Sequence, residues 1–170
     1  MITSICHQLD FNMAYVQELV KDVVPKEMTF CPAKGLENHP AFTLGHLVSG
    51  AALTVKYLGG IFELPEGWES LFLRNGPGDP RFPEKDVTKY PSKKELLVEL
   101  EQQHQKIKEL LHNTDIERLE KEAKEWRFYK FMPNLLDCTV FMCINHEAMH
   151  LGQLAAWRRA MGKTSALGAL

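Results

Sequence analysis

His146-Glu147-Ala148-Met149-His150 is the stretch of this chain whose residue types and spacing are best suited to chemistry. Histidines four residues apart on a helix lie one turn apart on the same face, so the two imidazoles can share one metal ion. Written H-E-x-x-H, the string is also the zinc-protease signature, with the glutamate as general base. That reading needs a further ligand downstream: a glutamate, or the third histidine of H-E-x-x-H-x-x-G-x-x-H. The 20 residues after His150 include no Asp, Glu or His. Glycine stands at 152 rather than 153, and Ala156 takes the place of the third histidine. The protease reading falls for want of a ligand.

A catalytic site of zinc type uses three protein ligands and an open position. The third must therefore come from upstream, from His7, His39, His46, His104 or His112. His46 is the strongest. It lies among Phe42, Leu47, Ser49, Gly50 and Leu53, where a buried imidazole needs a partner. Gly45, Ser49 and Gly50 leave room beside it for a ligand or a close helix. His104 is flanked by Gln102, Gln103, Gln105 and Lys106, which reads as a solvated face. His39 precedes a proline at a helix start, and His112 sits at a helix end, where a cation is favoured. A lone His46 is more often a satisfied core histidine than a ligand. The pair at 146 and 150 on an apolar face shifts that balance, because two buried imidazoles one turn apart are costly without a shared partner.

Four helical patterns must position these residues. The first runs from Ile2 to Val24 with Ile5, Leu9, Met13, Val16, Leu19, Val20 and Val23 at helical spacing, and Pro25 ends it. The second opens at Asn38-His39-Pro40 and stops at Gly59-Gly60, apolar over more than half its circumference. From Pro65 to Pro91 the chain reads as a loop punctuated by Gly67, Gly76, Pro77, Gly78, Pro80 and Pro83; a loop of that length is often functional. The third helix starts at a capping box, Ser92 with Glu95, and breaks near His112-Asn113. A short charged helix follows from Asp115 to about Glu125. The fourth runs from Pro133 to Met161, with Gly162 as the stop. At about 100° per residue, Leu135, Thr139, His146, His150, Gln153 and Trp157 share one stripe, with Val140, Cys143, Glu147 and Leu154 on the adjoining one. No strand alternation appears, and the expectation is an all-α four-helix bundle, whose core is where ligands from facing helices converge.

The chain has 170 residues, 45% hydrophobic and 25% charged, with a formal net charge of −2. That is one soluble domain over residues 1–170, with no electrostatic reason to bind nucleic acid. No apolar run approaches the roughly 18 residues of a membrane span, and Met1–His7 has no signal-peptide pattern. Cys6, Cys31, Cys138 and Cys143 form no C-x-x-C pair and read as reduced thiols of a cytoplasmic protein. Cys143, three residues before His146, becomes a ligand only if it points the same way.

Gly45-His46-Leu47, Tyr90-Pro91-Ser92 and Asn145-His146-Glu147-Ala148-Met149-His150-Leu151-Gly152-Gln153-Leu154, followed by Trp157-Arg158-Arg159, resemble the DinB/YfiT-like superfamily over essentially the whole chain. The resemblance implies an up-down-down-up four-helix bundle with a long connection between the second and third helices. It implies a divalent metal (nickel, zinc or iron) on His46, His146 and His150, and a homodimer. Characterised relatives include transferases and isomerases that use a low-molecular-weight thiol such as mycothiol or bacillithiol. The family name derives from a DNA-damage-inducible gene and does not imply DNA binding.

The reading is then a metal-dependent enzyme of thiol-transfer or hydrolytic type, acting on a small-molecule substrate. Its rival is a non-catalytic metal-binding or interaction bundle. Glu147 is a general base or orients a metal-bound water, or it is an inter-helix partner of Arg158 or Lys56. Gln153 hydrogen-bonds a ligand or the first helix, and Trp157 packs in the core. Residues that shape a substrate pocket are expected in Pro65–Pro91 and near Trp126–Phe131.

Overall fold

The computed structural model describes residues 1–76 and 79–170. Pro77 and Gly78, two of the expected loop residues, lie outside the described residues. Helix α1, Ile2–Val20, buries Ile5, Leu9, Met13, Val16, Leu19 and Val20 along one stripe. It ends short of the expected Val24, and Pro25 instead opens a separate 3-10 turn, Pro25–Glu27. The last carbonyls of a helix lack partners within it, and here two distant cations take them. Lys93 Nζ donates to the carbonyls of Val20, Lys21 and Val23 at 2.8, 3.2 and 2.9 Å. Arg158 Nη1 donates to Leu19 O at 2.8 Å and also pairs with Asp22.

Helix α2, Pro40–Tyr57, is buried on nearly every side. Its cap is His39 rather than Asn38: the ring Nδ1 accepts the Phe42 N–H at 3.2 Å. Nε2 must then carry the proton, and it donates to Glu84 O at 2.8 Å. The helix ends at Tyr57 with Leu58 as its cap, followed by Gly59 with φ +92°, a conformation that favours glycine.

The segment expected to be loop holds a short helix α3, Trp68–Phe72, and a 3-10 turn, Val87–Lys89. Phe72 lies against the Cα of Gly45, where any β-carbon would collide with its ring. The hydrophobic contact, rather than local propensity, fixes α3 on α2. Helix α4, Lys93–His112, begins with the expected capping box: Glu95 N–H to Ser92 Oγ at 3.2 Å and Ser92 N–H to Glu95 Oε2 at 2.8 Å. Helix α5 is only Ile116–Leu119. The chain beyond it leaves the helix to pair with the start of the fourth pattern, through Ala123 N–H to Pro133 O at 2.8 Å and Leu135 N–H to Lys121 O at 3.0 Å.

That fourth pattern runs unbroken as α6, Leu135–Val140, a π-helical segment, Phe141–His146, and α7, Glu147–Ala160. Helix α2 packs against α4 and α7, and α1 packs against the same two. Leu9, Leu44, Leu47, Val48, Leu96, Leu100, Ile107, Leu154 and Trp157 fill the shared core. The described residues are all-helical apart from one isolated bridge, Glu122 with Asn134. None of the described helices is long and apolar enough to cross a membrane.

Candidate metal centre

The π segment lies immediately before the chemistry. A π turn inserts one extra residue, so a single helical wheel no longer applies across it. Downstream the expected stripe holds for His146, His150 and Gln153. Trp157, one turn beyond Gln153 in the same regular helix, packs in the core as expected and donates its indole N–H to Phe30 O at 2.7 Å. Upstream, Thr139 is buried and donates to Leu135 O at 2.8 Å.

His146 and His150 meet His46 of α2. Ring centroids are 5.3 Å apart for His46–His146, 4.7 Å for His46–His150 and 4.6 Å for His146–His150. One ligand nitrogen from each lies within 4.8 Å of the others. The hydrogen bonds at the rings' far sides set two of the tautomers. His46 Nδ1 donates to Phe72 O at 3.0 Å. His150 Nδ1 donates to Gln153 Oε1 at 3.2 Å, and that oxygen also accepts Asn38 Nδ2 at 3.0 Å. Both rings therefore keep an Nε2 lone pair free. Such outer partners orient metal-ligating histidines. Gln153 reaches the second-helix lead-in rather than the first helix. His146 Nδ1 is buried with no hydrogen-bond partner.

Burial, and after it the neighbouring His46, pushes His146 down to about 4. Burial, then His46 and His146, pushes His150 down to about 3. Burial lowers His46 as well, opposed by the Phe72 carbonyl. All three are neutral at pH 7, the form that ligates. The unfolded chain takes up protons near 6.5, whereas the fold resists them down to about 4 or 3. Metal-free stability is thus complete above pH 6.5 and falls as the pH drops below it, by up to about 1.4 kcal/mol per pH unit for each such histidine. Urea midpoints measured at pH 7, 6 and 5 check this; a flat profile contradicts it.

Gly50 makes room for the third ring. A β-carbon there would sit 2.8 Å from His146 Cε1 and 3.2 Å from Nδ1. The expected space beside His46 is real, but Phe72 occupies it at Gly45 and His146 at Gly50. Gly50→Ala is expected to weaken metal binding about tenfold, as loss of a positioning contact does. Stability without metal should stay within about 1 kcal/mol, since alanine suits a helix better than glycine. Metal titrations and melts on the same variant separate the two effects.

Glu147 faces α1 and α4. Its Oε1 accepts from His104 Nε2 at 2.7 Å and its Oε2 accepts from Asn12 Nδ2 at 2.9 Å. Asn12 also donates to Cys143 O in the π segment at 3.1 Å. Glu147 is therefore an inter-helix partner, but of His104 and Asn12 rather than Arg158 or Lys56. His104, expected on a solvated face, is 3% exposed. Its signal was legible: Leu96, Leu100, His104, Ile107 and Leu111 form one buried stripe, while the polar neighbours at 102, 103, 105 and 106 were adjacent only in sequence. Asn12 interrupts the stripe of α1 in the same way. His39 is a cap, His7 and His112 are exposed, and Cys143 lies outside the histidine cluster. A cavity of about 460 Å³ lies against Tyr57, at the far end of α2, and Trp126, away from the histidines.

No curated protein and no solved structure matches the chain. Residues 8–154, a span that holds the three histidines together with Asn12, His104 and Glu147, match the family model for the DinB superfamily, and the chain belongs to that family.

Proposed function

We propose that this protein is a metal-dependent enzyme of thiol-transfer or hydrolytic type, with one divalent ion on His46, His146 and His150. The convergence of three ligand nitrogens within 4.8 Å carries the reading. Neutral imidazoles without a carboxylate suit zinc, nickel or iron better than magnesium or calcium, and the orphaned His146 Nδ1 fits a cluster built for an ion. When bound, the ion supplies a Lewis acid that lowers the pKa of a water or a thiol presented to it. Phe72 O and Gln153 Oε1 hold two rings in the tautomer that leaves Nε2 unprotonated. The family and the neighbour relations of α1, α2, α4 and α7 support an up-down-down-up four-helix bundle over residues 1–170. A homodimeric, cytoplasmic protein acting on a small molecule is the accompanying reading.

One observation favours the rival, a non-catalytic metal-binding domain: both Glu147 oxygens are engaged by His104 and Asn12, away from His46, His146 and His150, so the adjacent carboxylate is not a free base. Melts and thiol-transfer or ester-hydrolysis assays with and without zinc, nickel or iron distinguish the two. Metal-dependent turnover supports the enzyme. A raised midpoint without turnover supports the rival. No bound ion overturns both.

A further inference from the structure

Arg74 is a half-buried cation beside the histidine cluster with no carboxylate of its own. Its guanidinium lies 4.4 Å from the centroid of the Phe42 ring. The same ring stacks on His46, with centroids 5.5 Å apart and planes 13° apart. Nη1 donates to Leu71 O at 3.1 Å and Leu73 O at 3.4 Å. Among the described residues, Nε and Nη2 donate to nothing, and Arg74 forms no ion pair. Asp79, the carboxylate of the same segment, is taken by Arg81, with Nη2 at 2.6 Å and Nε at 2.9 Å, and by the Asn75 N–H at 2.9 Å. Burial, and then the nearby Arg81, weakens the Arg74 guanidinium's hold on its proton, which is the mark of a cation removed from water without full compensation.

The placement follows from the fold. Phe72 gives its carbonyl to His46, and two residues later Arg74 lies over the ring that stacks on His46. Three neutral imidazoles add no negative charge, and Glu147 faces the other way, so a centre holding a divalent ion stays doubly positive. Such a site attracts anions. A guanidinium with unused N–H groups binds a carboxylate through paired, charge-assisted hydrogen bonds.

We propose that Arg74 is the anion-recognising residue of this centre, and that the molecule bound there carries a carboxylate near the atom it presents to the metal. The proposal rests on the reading of His46, His146 and His150 as a metal centre. Its test uses the full chain loaded with cobalt(II), titrated with 3-mercaptopropionate and with its uncharged counterpart 3-mercaptopropan-1-ol, followed by the cobalt absorption bands. The wild type should prefer the carboxylate by about tenfold, the value of one charge-assisted hydrogen bond. Arg74→Gln should lose that preference while keeping its cobalt content and melting midpoint. Arg74→Lys should retain part of it, and added salt should weaken it in the wild type. An equal preference in Arg74→Gln overturns the role of Arg74, and no preference in the wild type overturns the anion. If Arg74→Gln does not fold, Arg74→Lys and the salt series decide: a preference that neither of them changes overturns the proposal. A wild type that binds no cobalt overturns the metal centre and the proposal with it, a failure distinct from the others.

Discussion

Replacing His146 with alanine is expected to remove the metal. His146 is one corner of a near-equilateral triangle of rings, with centroids 5.3 and 4.6 Å from its partners, and its side chain fills the gap that Gly50 leaves. Two imidazoles remain after the change, and no described Asp, Glu or Cys joins the cluster to replace the third. Loss of an outer-shell contact costs a metal site about 10–100-fold, and loss of a ligand costs more. At metal concentrations about 100 times the dissociation constant, binding adds about 2.7 kcal/mol to stability, or about 5–10 °C in a chain of this size. The variant should lose both the stoichiometric ion and that rise in midpoint. Metal analysis after gel filtration, beside melts with and without added metal, reads both. An unchanged metal content per chain shows that the three histidines are not the site.

The second large effect is expected at Glu147. Glu147→Ala strands His104 Nε2, on a side chain 3% exposed, and takes one of two acceptors from Asn12 Nδ2, which keeps Cys143 O. Leaving a buried donor without a partner costs about 1–3 kcal/mol, and the lost Asn12 hydrogen bond adds about 1 kcal/mol, because neither group is reached by water. The midpoint should fall by about 10 °C. Glu147→Gln keeps an acceptor for one partner and should cost less. The cycle with His104→Leu tests the coupling: the double variant should be less damaged than the two single effects added together. A loss below about 1 kcal/mol in Glu147→Ala would mean that the buried network contributes little to the fold.

Much of the helix pattern was legible because it rests on local rules. Apolar spacing of 3.6 residues marked α1, α2 and α4, and the Ser92–Glu95 box and Gly59 marked ends that appear where expected. The misplaced boundaries have non-local causes. Helix α1 stops early because Lys93 and Arg158, 70 residues or more away, satisfy its carbonyls. Helix α3 exists because Phe72 has Gly45 to pack on. The π segment carries no capping, glycine or proline signal of its own; it holds the carbonyl that Asn12 reaches from α1.

The residue types and spacing determined by themselves that His146 and His150 share a helical face, that no downstream ligand completes a protease, and that His46 is the strongest upstream partner. Those conclusions need only the helical repeat and the inventory of ligating side chains. Tertiary structure decided what depends on neighbours: the meeting of three rings, the tautomers held by Phe72 and Gln153, and the direction of Glu147. It also placed His104 inside and Arg74 beside the cluster. The division has a physical reason. A helix sets which residues lie on one face, but burial, hydrogen-bond partners and charge come from the elements packed against that face.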